Sequence, residues 1–373
     1  MRALFVIHDQ NTIYGASRSL GCLTRELDMD IDLILPLNFK RKISDARIKE
    51  HYGKRVKKVW FLPQPAQLTC VHATYKSIHH IKSFVKMVLY QLVKPFYHQI
   101  MKHGDYQFIH LNSLILYPML ASKYPMFLHV RELINPDYSK TDSCLQEQLN
   151  KAHGVLFISQ ETKDSCPDFI APEIVLKNPF DQTAVQLVDE HKARERFSIA
   201  EGQTVFAIIG VVDPNKGVDR VIRAFRQADP KSSVLLVVGK DSNKHGYEDM
   251  MRREAQGDER IHFVGELENT DELYRITDFV IRGDIAPGAG RTVFESLYAG
   301  GGCILPGTRE QNLSALDVDS AMEERVYFYP PADQDALAEC INQLDGQKMT
   351  DRQYVGNTNI YSKRFLEFVL KNS

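Results

Sequence analysis

The sequence lacks the features that mark membrane-spanning, secreted and zinc-binding proteins. Nowhere along the chain do about eighteen apolar residues follow one another, as a membrane-spanning helix requires. Its six cysteines are scattered without Cys-x-x-Cys or Cys/His spacing, which argues against a zinc site and a disulfide framework. The first apolar run reaches His8 and Asp9 too early for the core of a signal peptide. We therefore expect a cytoplasmic protein with reduced thiols and no metal site.

What is present is an ordinary globular composition with an uneven distribution of charge. Apolar residues make up 43% and charged residues 25% of 373 residues, enough for two domains with sizeable cores. The formal net charge is only −2. Residues 40–102, however, hold fourteen Lys or Arg against two acids, Asp45 and Glu50. This asymmetry predicts a surface for anionic partners.

Short apolar runs alternate with helix-like segments in two series, which indicates an α/β fold with parallel sheets covered on both faces. The first series opens with Leu4–Ile7 and includes Met126–Val130. The second opens with Thr204–Ile209, after a break at residues 177–181 and a single connecting helix expected over Ala184–Phe197. The two series therefore predict two doubly wound, Rossmann-like domains. Ligands usually bind in the central cleft between such domains.

The expected boundaries are residues 1–183 for the first domain and 184–358 for the second. The last segment, residues 359–373, contains an amphipathic helix predicted over Tyr361–Leu370. We expect this helix to return to the N-terminal domain.

A glycine-rich loop between a strand and a helix is the strongest candidate for ligand binding. It runs from Arg282 to Glu295, and the helix is predicted to begin near Thr292. Free amides at a helix N-terminus and close-packing glycines suit an anion, and the guanidinium of Arg291 suits phosphate oxygens. Glu295, one turn later, could accept hydrogen bonds from ribose hydroxyls. The same pattern is also that of a plain tight turn with a surface arginine.

A second strand-to-helix loop, residues 209–219, carries Lys216 beside Gly217. A lysine at the carboxyl edge of a parallel sheet could neutralise a diphosphate. Alternatively, the loop is a turn with a solvated lysine.

Together these segments resemble the family 4 retaining glycosyltransferases of the GT-B fold, and more broadly the group 1 glycosyl transferases of bacterial polysaccharide and lipopolysaccharide synthesis. The resemblance covers nearly the whole chain. The segments that carry it are Tyr14–Leu20, His110–Ser113, His129–Glu132, Ile158-Ser159, Lys177–Asp181, Gly210, Lys216-Gly217, Ala224, Leu235–Gly239, Phe263–Gly265, Glu272–Tyr274, Asp278–Val280 and Gly290–Gly301.

The resemblance implies that the N-terminal domain faces the acceptor and the C-terminal domain holds the sugar nucleotide. It implies contacts of Lys216 with the donor diphosphate and of Glu295 with the ribose. His129 falls where such enzymes often place a histidine near the donor sugar, although a strand-end histidine that caps backbone groups would look the same. The expected catalytic residues are His129, Lys216 and Arg291. The residues expected to contact the donor are Gly15, Lys216, Gly265, Gly288, Gly290, Arg291, Thr292 and Glu295.

Two positions depart from the family pattern. Val211 replaces an arginine that usually follows the glycine of the first loop, and Pro287 replaces a glutamate eight residues before Glu295. Arg291 or Arg282 could supply the missing positive charge. These departures keep two alternatives open, a non-catalytic scaffold that binds a partner glycosyltransferase and a sugar-nucleotide epimerase of the same fold.

The activity that the resemblance implies is transfer of a sugar, with retention and without a metal, from a nucleoside diphosphate sugar to a hydroxyl. The donor would be linked to UDP or GDP, and the acceptor would be a glycan or a lipid-linked glycan. No further cofactor is expected.

The basic region, residues 40–102, has two parts. Residues 40–58 form a cationic stretch, and residues 76–94 are predicted to form a helix that ends at Pro95. One stripe of that helix is apolar; its members are Ile78, Ile81, Val85, Val88 and Leu92. Either this helix lies on an anionic membrane at the inner face, or it packs on the first sheet with its lysines in water. No nucleic-acid-binding module accompanies the charge, so we expect no nucleic acid partner.

Overall fold

The computed structural model describes residues 1–10, 15–38, 43–65, 78–134, 143–242, 246–285, 290–316, 320–350 and 352–373. The chain divides into two units. The N-terminal unit contains Met1–Pro179 and Asn357–Ser373, and the C-terminal unit contains Phe180–Gly356.

The N-terminal unit is built on a parallel sheet in the strand order β3-β2-β1-β4-β5-β6-β7. Its strands are β1 (Arg2–Val6), β2 (Asp30–Pro36), β3 (Val56–Leu62), β4 (Phe108–Leu111), β5 (Met126–Val130), β6 (Gly154–Phe157) and β7 (Glu173–Val175). Its helices are α1 (Gly15–Glu26), α2 (Asp45–Tyr52), α3 (Ile78–His103), α4 (Ser143–Leu149), α5 (Gln160–Asp164) and, at the end of the chain, α15 (Thr358–Lys371). A 3-10 helix spans Leu114–Met119.

Mainly apolar runs form the central strands of this sheet because both of their faces are covered, although β4 and β5 each include a buried histidine. On one face, Phe5 and Phe108 pack against Phe365 of α15, with ring centroids 6.4 Å and 5.7 Å apart. Val369 is buried in the same cluster. The prediction that the C-terminal helix returns to the N-terminal domain is therefore confirmed.

The predicted end of α3 at Pro95 is wrong, because the helix continues through this proline to His103. Its second half is held by tertiary packing: Tyr97, Ile100 and Met101 are buried against the sheet. Burial of these side chains offsets the backbone hydrogen bond that Pro95 cannot make. Among the described residues, no helix is both long enough and apolar enough to span a bilayer.

The C-terminal unit is built on a second parallel sheet in the order β10-β9-β8-β11-β12-β13. Its strands are β8 (Thr204–Ile209), β9 (Ser233–Val238), β10 (Ile261–Gly265), β11 (Phe279–Ile281), β12 (Gly302–Pro306) and β13 (Val326–Tyr329). Its helices are α6 (Gln182–Gln186), α7 (Glu190–Arg196), α8 (Val218–Ala228), α9 (Tyr247–Glu254), α10 (Asp271–Ile276), α11 (Arg291–Tyr298), α12 (Arg309–Leu316), α13 (Ser320–Glu323) and α14 (Gln334–Leu344). Two doubly wound α/β units confirm the predicted fold class.

The single connecting helix predicted over Ala184–Phe197 is also wrong, because two short helices, α6 and α7, occupy this segment. The second begins at a side-chain cap: Asp189 is extended and its carboxylate accepts a hydrogen bond from the Lys192 amide at 3.2 Å. Because the capping aspartate is extended, the backbone is not helical at this residue, and a new helix begins after it.

Candidate functional site

The loop after β8 presents Lys216 at the carboxyl edge of the second sheet. The loop closes with a 3-10 turn over Pro214–Lys216, in which the Asn215 amide donates a hydrogen bond to the carboxylate of Asp213. Gly217 follows in the left-handed conformation with φ 65°, and α8 begins at the next residue. Glycine adopts this conformation without the strain that other residues incur. The turn therefore fixes where the Lys216 side chain leaves the backbone.

The loops after β8 and β11 touch through two glycines. A Cβ atom on Gly217 would collide with the backbone carbonyl of Gly283, and a Cβ on Gly283 would collide with the carbonyl of Gly217. Arg220 Nε also donates to the Gly283 carbonyl at 2.8 Å. The two neighbouring strands thus bring their loops into direct backbone contact.

At this contact, two cationic side chains share one carboxylate. Lys216 Nζ lies 3.4 Å from Asp284 Oδ1, and Arg282 Nε lies 2.5 Å from Asp284 Oδ2. The Lys216 side chain is 45% exposed, whereas those of Arg282 and Asp284 are largely buried. A small pocket opens beside them, and its lining includes Gly210 and Val211. Val211 itself is partly exposed, so the position where the family usually has arginine lies at this pocket.

The helix α11 begins next to the same cations. Gly290 is its N-cap residue and is extended. Glycine has no side chain, so the N-cap residue makes no side-chain hydrogen bond to the first amides of the helix. A Cβ on Gly290 would collide with Nη1 of Arg282. Arg291 is the first helical residue and Thr292, half-buried, is the second. A helix start beside a guanidinium favours an anion.

Glu295 is nearly fully buried, and both oxygens of its carboxylate accept side-chain hydrogen bonds. Arg291 Nε donates to Oε1 at 2.5 Å, and Tyr274 Oη donates to Oε2 at 2.6 Å. Arg291 therefore reaches back to Glu295 along the helix. The role of Tyr274 is one that sequence reasoning missed, although its segment, Glu272–Tyr274, contributes to the family resemblance. A buried tyrosine that follows a helical pattern gives no sign of a polar partner 21 residues away.

A continuous series of contacts joins most of the predicted residues of the C-terminal unit. The predicted members are Lys216, Gly290, Arg291 and Glu295. In order along the series lie Lys216, Asp284, Arg282, Gly290, Arg291, Glu295 and Tyr274. Gly265 lies apart from it, at the end of β10 with φ 79°, where its carbonyl accepts from the Gly239 amide at 2.8 Å. Gly288 and Pro287 lie outside the described residues.

In the N-terminal unit, Gly15 and His129 occupy the carboxyl side of the sheet. Gly15 is the first residue of α1, and its carbonyl oxygen lies 3.0 Å from Ser19 Oγ. His129 lies on β5 and is fully buried. Its Nδ1 is 3.2 Å from His110 Nε2 and 3.3 Å from Arg131 Nη2. Burial, reinforced by the charge of Arg131, holds the pKa of His129 well below its usual range.

Arg131, which sequence reasoning did not assign a role, connects several polar side chains. Its Nε donates to Asn112 Oδ1 at 2.8 Å, and its Nη1 donates to Asn178 Oδ1 at 2.8 Å. Ser19 Oγ donates to the same Asn178 oxygen at 2.9 Å. These contacts join the ends of β4 and β5 to α1 and to the last residues of the segment before Pro179. The pairing of an arginine with asparagines far apart in the chain could not be predicted from spacing.

One face of α3 leaves large apolar side chains in solvent. Phe84, Val88, Leu92 and Phe96 recur at four-residue intervals, and all are exposed, Leu92 to 72%. Lys86, also exposed, adds positive charge. Val85 and Leu89 extend the same face, which we call the α3 face. A contiguous exposed apolar face of this kind marks an interaction surface.

Part of the basic stretch is neutralised by acids that lie outside it. Arg55 forms an ion pair with Asp28, and Lys57 lies 3.4 Å from Asp30. Within the described residues, no group of three or more His, Cys, Asp or Glu side chains could hold a metal ion.

Residues 189–358 match the family described as glycosyl transferases group 1. Among curated protein sequences, none matches this chain significantly. The fold is similar to that of HepE from Anabaena, solved in complex with UDP and glucose, with 17% identity, full coverage of both chains and a TM-score of 0.73. It is also similar to sucrose-phosphate synthase from Thermosynechococcus elongatus, with 15% identity, 99% and 96% coverage and a TM-score of 0.67.

A glycosyltransferase from Rickettsia africae shares 12% identity over 100% of this chain and 98% of its own, with a TM-score of 0.65. At such identities these likenesses establish a shared fold, and the family match covers only residues 189–358. The chain therefore has the GT-B fold, and residues 189–358 of its C-terminal unit match the glycosyl transferases group 1 family.

Proposed function

We propose that this protein transfers a sugar from a nucleoside diphosphate sugar to a hydroxyl group of a glycan or lipid-linked glycan, with retention and without a metal. The observation that carries the proposal is the contact series from Lys216 to Glu295 at the carboxyl edge of the second sheet. Lys216 and Arg282 of this series line one pocket, and Arg282 also lies against Gly290 at the start of α11. Carboxyl ends of parallel strands are the usual place for nucleotide ligands.

In this proposal, the cations stabilise the diphosphate as it departs from the anomeric carbon. Lys216 and Arg282 share the single carboxylate of Asp284, and a diphosphate offers them more negative charge than that carboxylate does. Arg282, which contacts Gly290 at the start of α11, is placed to compensate for the missing arginine at Val211 together with Arg291. Fixed positive groups that meet developing negative charge lower the barrier electrostatically, and they would supply the charge that a metal supplies in other enzymes.

The ribose would meet the carboxylate of Glu295. A carboxylate accepts about four hydrogen bonds, so ribose hydroxyls could donate to the same oxygens as Arg291 and Tyr274. Structures of HepE hold UDP with glucose and UDP-glucose, which makes UDP-linked sugars the first donors to test and GDP-linked sugars the second.

The lipid-linked acceptor and a peripheral membrane location are supported by the α3 face. Its exposed apolar side chains are of the size that inserts at a lipid headgroup boundary, and the surrounding basic residues favour anionic lipids. An enzyme that modifies a lipid-linked glycan must work at such a surface.

A screen of nucleoside diphosphate sugars tests the proposal. Thermal shift should identify one that stabilises the purified protein, and mass spectrometry with glycan and lipid-linked acceptors should then detect the extended product. A donor that binds but is never consumed would favour the non-catalytic scaffold. If no nucleoside diphosphate sugar binds, the proposal is wrong.

A further inference from the structure

The two ring nitrogens of His129 have different surroundings. Nδ1 faces two partners, His110 Nε2 at 3.2 Å and Arg131 Nη2 at 3.3 Å. Nε2 is buried, and no hydrogen-bond partner for it is found in the part of the chain that the structure describes. Buried polar atoms are rarely left without a partner, and a donor in that position loses its hydration without compensation.

The partner at Nδ1 decides which nitrogen carries the proton. The guanidinium of Arg131 stays charged in proteins and can only donate. His129 Nδ1 must therefore accept, and in the neutral ring the proton lies on Nε2. The contact from His110 agrees with this assignment, because its Nε2 can donate to the same acceptor.

Arg131 is itself held in place on two sides. Asn112 and Asn178 each accept one of its N–H groups at 2.8 Å. Asn178 is fixed in turn, since its side-chain oxygen accepts from Ser19 and its carbonyl accepts from Asn357 Nδ2 at 3.1 Å. A guanidinium with this many fixed partners cannot turn away from His129 without breaking several hydrogen bonds.

We propose that Arg131 is a positioning residue that fixes His129 in the neutral Nε2–H form, so that His129 offers a bound ligand a hydrogen-bond donor and not a base. The low pKa of His129, caused by burial and by Arg131, agrees with a ring that stays neutral. His110 and Arg131 are the titratable or charged groups that bear on it. That the ligand is a sugar rests on the proposed function, whereas the position of the proton does not.

Nitrogen-15 NMR of the histidine-labelled full-length protein without ligand tests this proposal, with His129 assigned by its loss in His129→Gln. The wild type should show an unprotonated Nδ1 and a protonated Nε2 throughout neutral pH. In Arg131→Met this single pattern should be lost to a mixture of tautomers, because the remaining partner, His110 Nε2, can either donate to Nδ1 or accept from it. In His110→Phe it should persist, because Arg131 alone still donates to Nδ1.

A wild-type His129 protonated at Nδ1, or an unchanged pattern in Arg131→Met, would overturn the proposal. Should Arg131→Met fail to fold, the wild-type spectrum still decides where the proton lies. If the Nε2–H form is found in a protein that uses no sugar donor, the tautomer assignment is supported and only the proposed function fails. With an active donor, Arg131→Met should lower kcat more than it raises KM.

Discussion

Arg291 and Glu295 form an ion pair across one turn of α11, with Arg291 Nε 2.5 Å from Glu295 Oε1. Both side chains are largely buried, so removal of the arginine leaves a carboxylate without its cation inside the unit. We expect Arg291→Ala to lower the free energy of unfolding by about 3 kcal/mol. Denaturant unfolding measures this directly.

A matched double variant separates this structural role from a role in donor binding. Arg291→Ala combined with Glu295→Gln removes the uncompensated charge and should recover most of the lost stability, while nucleotide binding stays weak.

Restoring arginine at the exposed position 211 in an Arg291→Ala background should recover part of the lost activity. Full nucleotide affinity in Arg291→Ala would show that Arg291 only supports Glu295.

The close approach of Gly217 to Gly283 predicts a large cost for any side chain at Gly217. Gly217→Ala would combine left-handed strain with a collision against the Gly283 carbonyl. Gly202 is the control, because its φ is 92° and a Cβ there would meet no atom within 4 Å. Gly202→Ala should cost about 1–2 kcal/mol from strain alone, and Gly217→Ala should cost more. Equal losses in thermal unfolding would contradict the backbone contact between the two loops.

His51 predicts a loss of stability in acid. Burial lowers the pKa of His51 to about 4, while its Nε2 contacts the Ser17 carbonyl at 2.8 Å. The unfolded chain takes up a proton below about pH 6.5, and the folded protein does so only near pH 4. The contribution of His51 is therefore complete above pH 6.5 and is lost as the pH falls to 4, by about 3 kcal/mol.

His51→Gln is the matched variant, since its amide can still donate to Ser17 but does not titrate. Its free energy of unfolding should fall less steeply between pH 6.5 and 4 than that of the wild type. Parallel curves for the two proteins would exclude His51 as a source of acid sensitivity.

The α3 face predicts binding to vesicles that contain anionic lipids. Leu92→Ser combined with Phe96→Ser should abolish flotation with such vesicles and leave the melting temperature unchanged, because both side chains are exposed. Leu187→Ser, at an exposed leucine of the C-terminal unit, is the control and should bind as the wild type does. Binding should weaken with salt, since charges are screened over about 8 Å at physiological ionic strength. A wild type that ignores anionic vesicles at low salt would refute a membrane role.

The sequence predicts the strand-loop-helix units of both sheets because buried parallel strands are mainly apolar. It does not predict β3, which contains Lys57 and Lys58 and forms an edge of the first sheet. Lysines protect edge strands from pairing with other chains, so this segment looks like a charged surface stretch. Helix α3 continues through Pro95 because its second half packs on the sheet. The local sequence does not predict this packing either.

The positions of Lys216 and of the α11 start could be predicted from their loops, but their partners could not. Asp284, Tyr274 and Arg131 act through contacts between segments that are distant in sequence, and no spacing rule connects them. From the sequence alone, these residues are equally consistent with a turn aspartate, a core tyrosine and a surface arginine. Only the fold shows which residues each side chain contacts.

The central claim is that the C-terminal unit binds the diphosphate of the donor at Lys216, and calorimetric titration tests it most directly. UDP and GDP are titrated into the wild type, into Lys216→Ala and into the control Lys231→Ala, whose lysine is exposed and pairs with Asp229. We expect one nucleotide to bind the wild type and the control alike, and Lys216→Ala to lose about 1.5–3 kcal/mol of binding free energy. If neither nucleotide binds the wild type, or if Lys216→Ala binds with unchanged affinity, the claim is contradicted.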